Sequence, residues 1–271
     1  MHTFSRAGLT FPVRDEGPPD GAVVVLLHGF PQDAGAFDTV VPHLHAAGLR
    51  TLVPTQRGYA PTAQPRGRRA YRVGETTADV LALLDAAGAS RAHVVGHDWG
   101  AGPAWTLGAQ HPGRVASLTV LSTPHPAAMA ASAVRSGQAL RSWYMGFFQL
   151  PAIPELVLRG TLARTLRSSG LPEEHVRRYV ALAEQEGVAT GALNWYRGIP
   201  FSWRPPLGPS RVPTTYVWGR HDFALGRTAA ELTARHVRGA YSFVELDAGH
   251  WLPEVNGEDV ARAVLARVAA S

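Results

Sequence analysis

Ala92-His93-Val94-Val95-Gly96-His97-Asp98-Trp99-Gly100 runs from an apolar strand into a Gly-x-Asp-x-Gly turn, and a helical pattern over Ala101–His111 begins at once. A strand that turns this sharply into a helix needs small residues on both sides of the apex, because a side chain at either Gly would strike strand or helix. The apex residue is lifted clear of the sheet and set at a helix N-terminus, where free N–H groups and the helix dipole favour a carboxylate. This is the layout of a nucleophile elbow, with Asp98 where Ser often sits. Asp before a helix also serves as a plain N-cap, and the nine residues alone leave both roles open.

Working outward, short apolar runs at Val23–Leu27, Thr51–Val53, His93–Val95, Leu118–Leu121, Thr215–Trp218 and Ser242–Leu246 predict buried strands. Between them, Thr76–Ala87 places Val80, Leu83 and Leu84 at helical spacing, and Asp259–Val268 closes the chain with another helical pattern. Strands alternating with helices of this length imply βαβ units and a mostly parallel sheet. The first 16 residues add an antiparallel hairpin at one edge. From Pro126 to Pro209 no β-branched run appears. Helical stretches such as Glu173–Gln185 and Pro-Gly punctuation take its place. The expected organisation is a core of residues 1–125 and 210–271, with 126–209 inserted as a helical lid that begins at Ser122-Thr123-Pro124-His125-Pro126.

Composition removes several classes of function. The chain has 271 residues, 45% of them hydrophobic, enough to bury a large core without covalent staples. It has no Cys, which excludes disulfides, thiolate metal sites and Cys nucleophiles and fits a reducing, cytoplasmic compartment. All 26 basic residues are Arg, so Lys Schiff-base chemistry is excluded as well. The net charge of +5 comes from scattered Arg, the densest group being Arg66, Arg68, Arg69 and Arg72 in a Pro/Gly-rich loop. Without an aromatic-interleaved basic stripe this reads as a solvated loop, and no nucleic-acid partner is expected. Residues 1–20 lack the apolar core of a signal peptide, and no apolar run reaches the ~18 residues of a membrane span. No Walker-A or complete G-x-G-x-x-G motif supports a nucleotide cofactor. His43-x-His45 on a helix would point its rings apart, so no metal and no cofactor is expected. His97 reads as a packed elbow residue and His125, between two prolines, as structural. Trp143, Trp195, Trp203 and Trp251 either line a pocket or form lid core.

Two further motifs follow strands. His28-Gly29-Phe30-Pro31 comes after Val23–Leu27, where a second backbone donor for an oxyanion would lie. Trp218-Gly219-Arg220-His221-Asp222 and Ala248-Gly249-His250-Trp251 follow the last two strands. Open α/β sheets place their sites at these strand ends, and the order nucleophile, acid, His is that of one hydrolase architecture. With HGFP at 28–31, GHDWG at 96–100, GRHDFAL at 219–225 and AGHW at 248–251, the chain resembles the epoxide hydrolases of the α/β-hydrolase fold over essentially its whole length. Haloalkane and fluoroacetate dehalogenases are the nearest relatives in chemistry. The resemblance implies Asp98 as nucleophile, Asp222 as the acid orienting the base, His250 as the base, and the backbone N–H groups of Phe30 and Trp99 as the oxyanion hole.

A carboxylate nucleophile suits attack on a saturated carbon bearing a leaving group, because the product is a stable alkyl ester that an activated water then hydrolyses. An epoxide oxygen leaves as an alkoxide and needs a donor, and a phenol suits that role. Ser142-Trp143-Tyr144-Met145-Gly146-Phe147-Phe148-Gln149 and Asn194-Trp195-Tyr196-Arg197 resemble the lid segments that carry the paired ring-opening tyrosines, which implies Tyr144 and Tyr196 in that role. Haloalkane dehalogenases often place Asn where Phe30 stands, and fluoroacetate dehalogenases place Arg where Trp99 stands, so both fit less well. The family's R-G-Y-G-x-S stretch reads Arg57-Gly58-Tyr59-Ala60-Pro61-Thr62 here, a departure that touches subfamily and substrate. The expected function is hydrolysis of a small apolar epoxide to a vicinal diol by a monomer or homodimer. The alternatives are a haloalkane dehalogenase with the same residues, a non-catalytic ligand-binding protein on this fold, and cyclisation by an internal hydroxyl.

Overall fold

The computed structural model describes residues 1–202 and 205–271. Eight strands form one sheet: β1 (Thr3–Arg6), β2 (Leu9–Glu16), β3 (Val23–Leu27), β4 (Arg50–Pro54), β5 (Ala92–His97), β6 (Val115–Leu121), β7 (Thr214–Gly219) and β8 (Tyr241–Leu246). Their spatial order is β1-β2-β4-β3-β5-β6-β7-β8. β1 and β2 make the expected antiparallel hairpin, β2 runs antiparallel to β4, and every other neighbouring pair is parallel. Each expected strand is present. Most are longer by one to three residues, because polar ends such as Arg50 and His97 pair in the ladder although they interrupt the apolar run.

Alternation along the strands builds two cores. Val25 and Leu27 face one side with Leu83, Leu84, Trp105 and Leu107 from the helices Val73–Ala86 and Ala101–Gln110. Val24 and Leu26 face the other with Leu44 from Val41–Ala46 and with Val260 and Val264 from Gly257–Ala269. A sheet covered on both faces explains why its central strands read as continuous apolar runs. Each fully buried aliphatic side chain contributes about 1.5–3 kcal/mol of burial, which gives the sheet its rigidity as a platform.

Between β6 and β7 the chain leaves the sheet for a set of helices, chiefly Pro126–Arg135, Ile153–Ser168, Glu173–Glu184 and Val188–Arg197. Leu158, Leu162 and Leu166 recur every four residues on one helix face and pack against Val176, Tyr179 and the core residue Trp251. The register sets where chemistry can gather. Leu27 pairs with Gly96, His97 with Leu121, and Gly219 with Leu246, so the loops after β3, β5, β6, β7 and β8 emerge at one edge of the sheet, beneath these helices.

Candidate active site

Asp98 stands at the apex of the turn after β5 with φ of 48°, a left-handed backbone that is rare outside Gly. Conformations of this kind cost about 1–3 kcal/mol and persist where the surroundings over-determine them. Here they do. A Cβ on Gly96 would lie 2.5 Å from the Gly100 carbonyl oxygen, and one on Gly100 would lie 2.1 Å from that of Leu27. Gly29 closes the third side, since its Cβ would fall 2.3 Å from that of Asp98. The Phe30 N–H donates to Asp98 Oδ1 at 2.8 Å.

The opposite carboxylate oxygen faces the loop after β8. His250 Nε2 lies 3.5 Å from Asp98 Oδ2, and His250 Nδ1 lies 2.8 Å from Asp222 Oδ2. Asp222 Oδ1 accepts the N–H groups of Ala224 and Leu225 at 2.8 and 2.9 Å, so the loop after β7 fixes its orientation. The Asp222 side chain is fully buried and that of His250 is 4% exposed, whereas Asp98 is 19% exposed and is the one carboxylate of the pair a ligand can reach. Burial works against a charged His250. The charge and hydrogen bond of Asp222, joined by those of Asp98, outweigh it and raise His250 to about 10. Burial likewise pushes Asp98 up, but His250, His97 and the Phe30 N–H reverse this and hold it below the usual carboxylate range. The pair therefore rests as an ion pair near neutral pH.

Two cavities, of about 300 and 360 Å3, meet at this point. Asp98, Tyr144 and Tyr196 line both. The first is walled by Phe30, Leu158, Leu162, Phe223, His250 and Trp251, the second by Trp99, Trp105, Met129, Met145, Ile199 and Leu225. The tyrosine rings lie 5.9 Å apart at 75°. Tyr196 packs edge-on against Trp99 at 4.7 Å and Phe30 at 5.3 Å. Burial raises both phenols above their ordinary value, and the negative charge of Asp98 adds to it, so each O–H keeps its proton as a donor.

Residues 22–256 match the family described as alpha/beta hydrolase fold. The AB hydrolase superfamily protein YfhM of Bacillus subtilis (strain 168) is 34% identical over 257 residues, covering 90% of this chain and 89% of the relative. This chain belongs to the alpha/beta hydrolase fold family. Within the family it groups with proteins named epoxide hydrolases. Epoxide hydrolase A of Mycobacterium tuberculosis (strain ATCC 25618 / H37Rv) is 33% identical over 305 residues, covering 95% of this chain and 94% of the relative. The crystal structure of Epoxide Hydrolase A from Mycobacterium thermoresistibile superimposes with a TM-score of 0.86 at 29% identity, over 98% of this chain and 97% of that one.

The remaining sequence candidates of this alpha/beta hydrolase separate clearly. His97 is fully buried and hydrogen-bonded, with Nδ1 2.9 Å from Gln32 Oε1 and Nε2 2.9 Å from the His250 carbonyl oxygen. His125 accepts the Ala127 N–H at the start of its helix and stacks on His236 at 4.8 Å. His45 is occupied by Thr51, 2.9 Å away. Arg66, Arg68, Arg69 and Arg72 are exposed. Trp143 and Trp251 line the first cavity, while Trp195 is buried among Tyr59, Tyr71 and Leu182 and donates to the Arg57 carbonyl. Trp203 lies outside the described residues. Among the described residues no cluster of three or more His, Asp or Glu is arranged for a metal, and no helix is long and apolar enough to cross a membrane.

Sequence reasoning missed four supports of the site. Gly29 is one. The Arg57–Asp79 pair is another, buried and bidentate at 2.7 and 2.6 Å. Gly58 and Gly191 abut backbone to backbone, tying the departing 57–62 stretch to the helix Val188–Arg197. Gln32 and Glu254, 222 positions apart, are hydrogen-bonded to each other at 2.6 Å. Of these, Gly29 had a local signal in the motif at 28–31, and Arg57 and Gly58 had one in the stretch at 57–62, whereas Asp79, Gly191, Gln32 and Glu254 had none.

Proposed function

We propose that the chain is an epoxide hydrolase that forms a covalent ester on Asp98 and releases a vicinal diol, with residues 126–209 acting as the lid over residues 1–125 and 210–271. The observation that carries this reading is the meeting of one reachable carboxylate with one buried and one half-buried phenol where two apolar cavities join. A halide needs no proton to leave. An epoxide oxygen does, and Tyr144 and Tyr196 supply two O–H donors on the wall facing Asp98.

In the first half of the reaction the tyrosines hold the epoxide oxygen. Asp98 Oδ1 stays on the Phe30 N–H, so Oδ2 is the attacking atom. It bonds to a ring carbon as that carbon's bond to oxygen breaks, and the alkoxide takes a phenol proton. Esterification removes the charge of Asp98, which had helped to hold the proton on His250. That proton departs, the tyrosinate recovers one, and His250 is left neutral. In the second half water gives a proton to His250 while its oxygen adds to the ester carbonyl. The negative charge grows on Oδ1, where the Phe30 and Trp99 N–H groups receive it. Collapse expels the diol oxygen, which takes the proton of the new Asp98 carboxyl. Asp98 and His250 are again an ion pair.

Two cavities meeting at the reacting group give each ring carbon's substituent its own space, so an epoxide substituted on both carbons fits this site. The test is His250→Phe, incubated with a mixed panel of epoxides and haloalkanes and followed by intact mass. An added mass equal to a whole epoxide is expected. An added mass equal to a haloalkane less HX, or no adduct on any epoxide that the wild type binds, refutes the reading.

A further inference from the structure

Behind the reacting groups lies a buried polar chain that the mechanism above does not use. Gln32 is fully buried, and its side-chain amide has a direction. Oε1 accepts the Gly29 N–H at 2.6 Å, and Nε2 donates to Glu254 Oε1 at 2.6 Å. Were the amide reversed, its NH2 would face the Gly29 N–H, donor against donor. Glu254 fixes the same direction from the other end of the amide, because a carboxylate oxygen can only accept. The same Oε1 accepts the Tyr179 hydroxyl at 2.7 Å. Tyr179 is fully buried on the helix Glu173–Glu184, among the helices that cover the site, whereas Glu254 belongs to the segment just after His250. Glu254 Oε2 is buried with no partner among the described residues. Burial pushes this carboxyl up from the usual range, against the bonds from Gln32 and Tyr179. A buried carboxyl left half-satisfied is expensive, and cheaper apolar packing is the usual alternative.

We propose, on the epoxide-hydrolase reading, that Glu254 is a positioning residue for the Phe30 N–H donor, acting through Gln32, and that Tyr179 makes this hold depend on the covering helices being seated. The path is short and continuous. Glu254 orients Gln32, Gln32 holds the Gly29 N–H, and the next residue, Phe30, donates to Asp98 Oδ1. Gln32 also donates its own backbone N–H to the Gly29 carbonyl at 3.1 Å, closing the turn that carries the donor. His97 Nδ1 meets the same Gln32 oxygen, which ties the turn to the residue preceding Asp98.

Three variants of the full chain test this: Glu254→Ala, Glu254→Gln and Tyr179→Phe. Gln at 254 can still accept both donors, so it should keep near wild-type activity. Ala removes the acceptor of the Gln32 NH2, so that only the Gly29 N–H is left to hold the amide in place. A donor displaced by as little as about 1 Å costs on the order of 10- to 100-fold. The loss should fall on ester hydrolysis, where charge develops on Oδ1, so kcat and KM drop together and the alkyl-enzyme accumulates during turnover. Tyr179→Phe should show a smaller loss of the same kind. The second readout needs no substrate: the Phe30 amide resonance, held downfield by a carboxylate, should move in Glu254→Ala and stay in Glu254→Gln. A lower melting temperature with unchanged kcat and an unmoved Phe30 amide would overturn the proposal. If the wild type neither hydrolyses nor adds any epoxide, the functional reading fails, and the amide resonance alone decides the role of Glu254.

Discussion

Replacing Asp98 by Asn leaves a side chain of the same shape without its charge, which in the proposed mechanism is also the charge state of Asp98 in the alkyl-enzyme. The perturbation therefore measures what His250 experiences when it must act as a base. In the intact site Nε2 lies 3.5 Å from Asp98 Oδ2. A unit-charge pair at that distance is worth about 5 kcal/mol at an effective dielectric of ~20. At about 1.4 kcal/mol per pH unit this is a fall of roughly three units in the pH at which His250 titrates. Asp98 is partly open to the cavity, which lowers the figure to roughly two. From about 10 in the intact site, His250 should then titrate nearer the neutral range in Asp98→Asn.

The assay is an NMR titration of the His250 ring, paired with melting temperature against pH. The sign is fixed by linkage. A His raised above its unfolded value of about 6.5 adds stability that is complete below pH 6.5 and is lost as pH rises through the folded value. His28, His97 and His125 are shifted the other way, each down to about 4 by burial, so their contributions are complete above pH 6.5 and change only on acidification. Between pH 7 and 10 the wild type should lose stability through His250, and Asp98→Asn should lose markedly less. If His250 titrates at the same pH in both proteins, the Asp98 charge does not hold its proton, and the argument that esterification releases the base is wrong.

Two other substitutions probe the frame. Tyr144→Phe and Tyr196→Phe should each slow formation of the alkyl-enzyme by about 10²- to 10⁴-fold, the range for a lost general acid. Stopped-flow or quenched single-turnover kinetics would show it, and alkylation at the wild-type rate in both variants would reduce the tyrosines to packing. Arg57→Ala should cost about 3–5 kcal/mol of stability by leaving Asp79 buried without its bidentate partner, although Arg6, 2.9 Å from Asp79, softens the loss. Denaturant unfolding measures it, and a change under about 1 kcal/mol would mean that solvent or Arg6 fully replaces Arg57.

What the sequence disclosed, and what it withheld, follows from the range of the interactions. Strands announce themselves locally, because a sheet covered on both faces needs consecutive apolar residues. Asp98, Asp222 and His250 were legible because each sits in a short motif directly after a strand, and parallel strands in register bring such loops to one edge. Tyr144 and Tyr196 were legible only through resemblance, since an aromatic run in a helical segment reads equally well as core. The supports were hidden for a different reason. Gln32, Asp79 and Glu254 are polar residues whose partners are remote or unspecified in sequence, and nothing local distinguishes a buried Glu from a solvated one. Trp195 shows the same limit from the apolar side. Its sequence left pocket wall and lid core equally open, and the structure buries it among Tyr59, Tyr71 and Leu182 with its N–H on the Arg57 carbonyl.

The cavity walls also settle what the net charge of +5 leaves open. Among the described residues none of the Arg side chains lines either cavity at the site. The ionisable groups there are Asp98, His250 and the two tyrosines, and the positive charge of His250 is already matched by two carboxylates. A carboxylate-bearing substrate would have to leave water, approach Asp98, and find no cation. Even partial desolvation of an unpaired charge costs several kcal/mol, so an epoxide acid should lose on the order of 100-fold or more in kcat/KM against its methyl ester. The comparison uses one ring, one lid and one leaving oxygen, and differs only in that charge. Equal kcat/KM for acid and ester would show that the acid group stays in solvent or that an Arg swings inward to meet it, and the uncharged walls would then not be what selects the substrate.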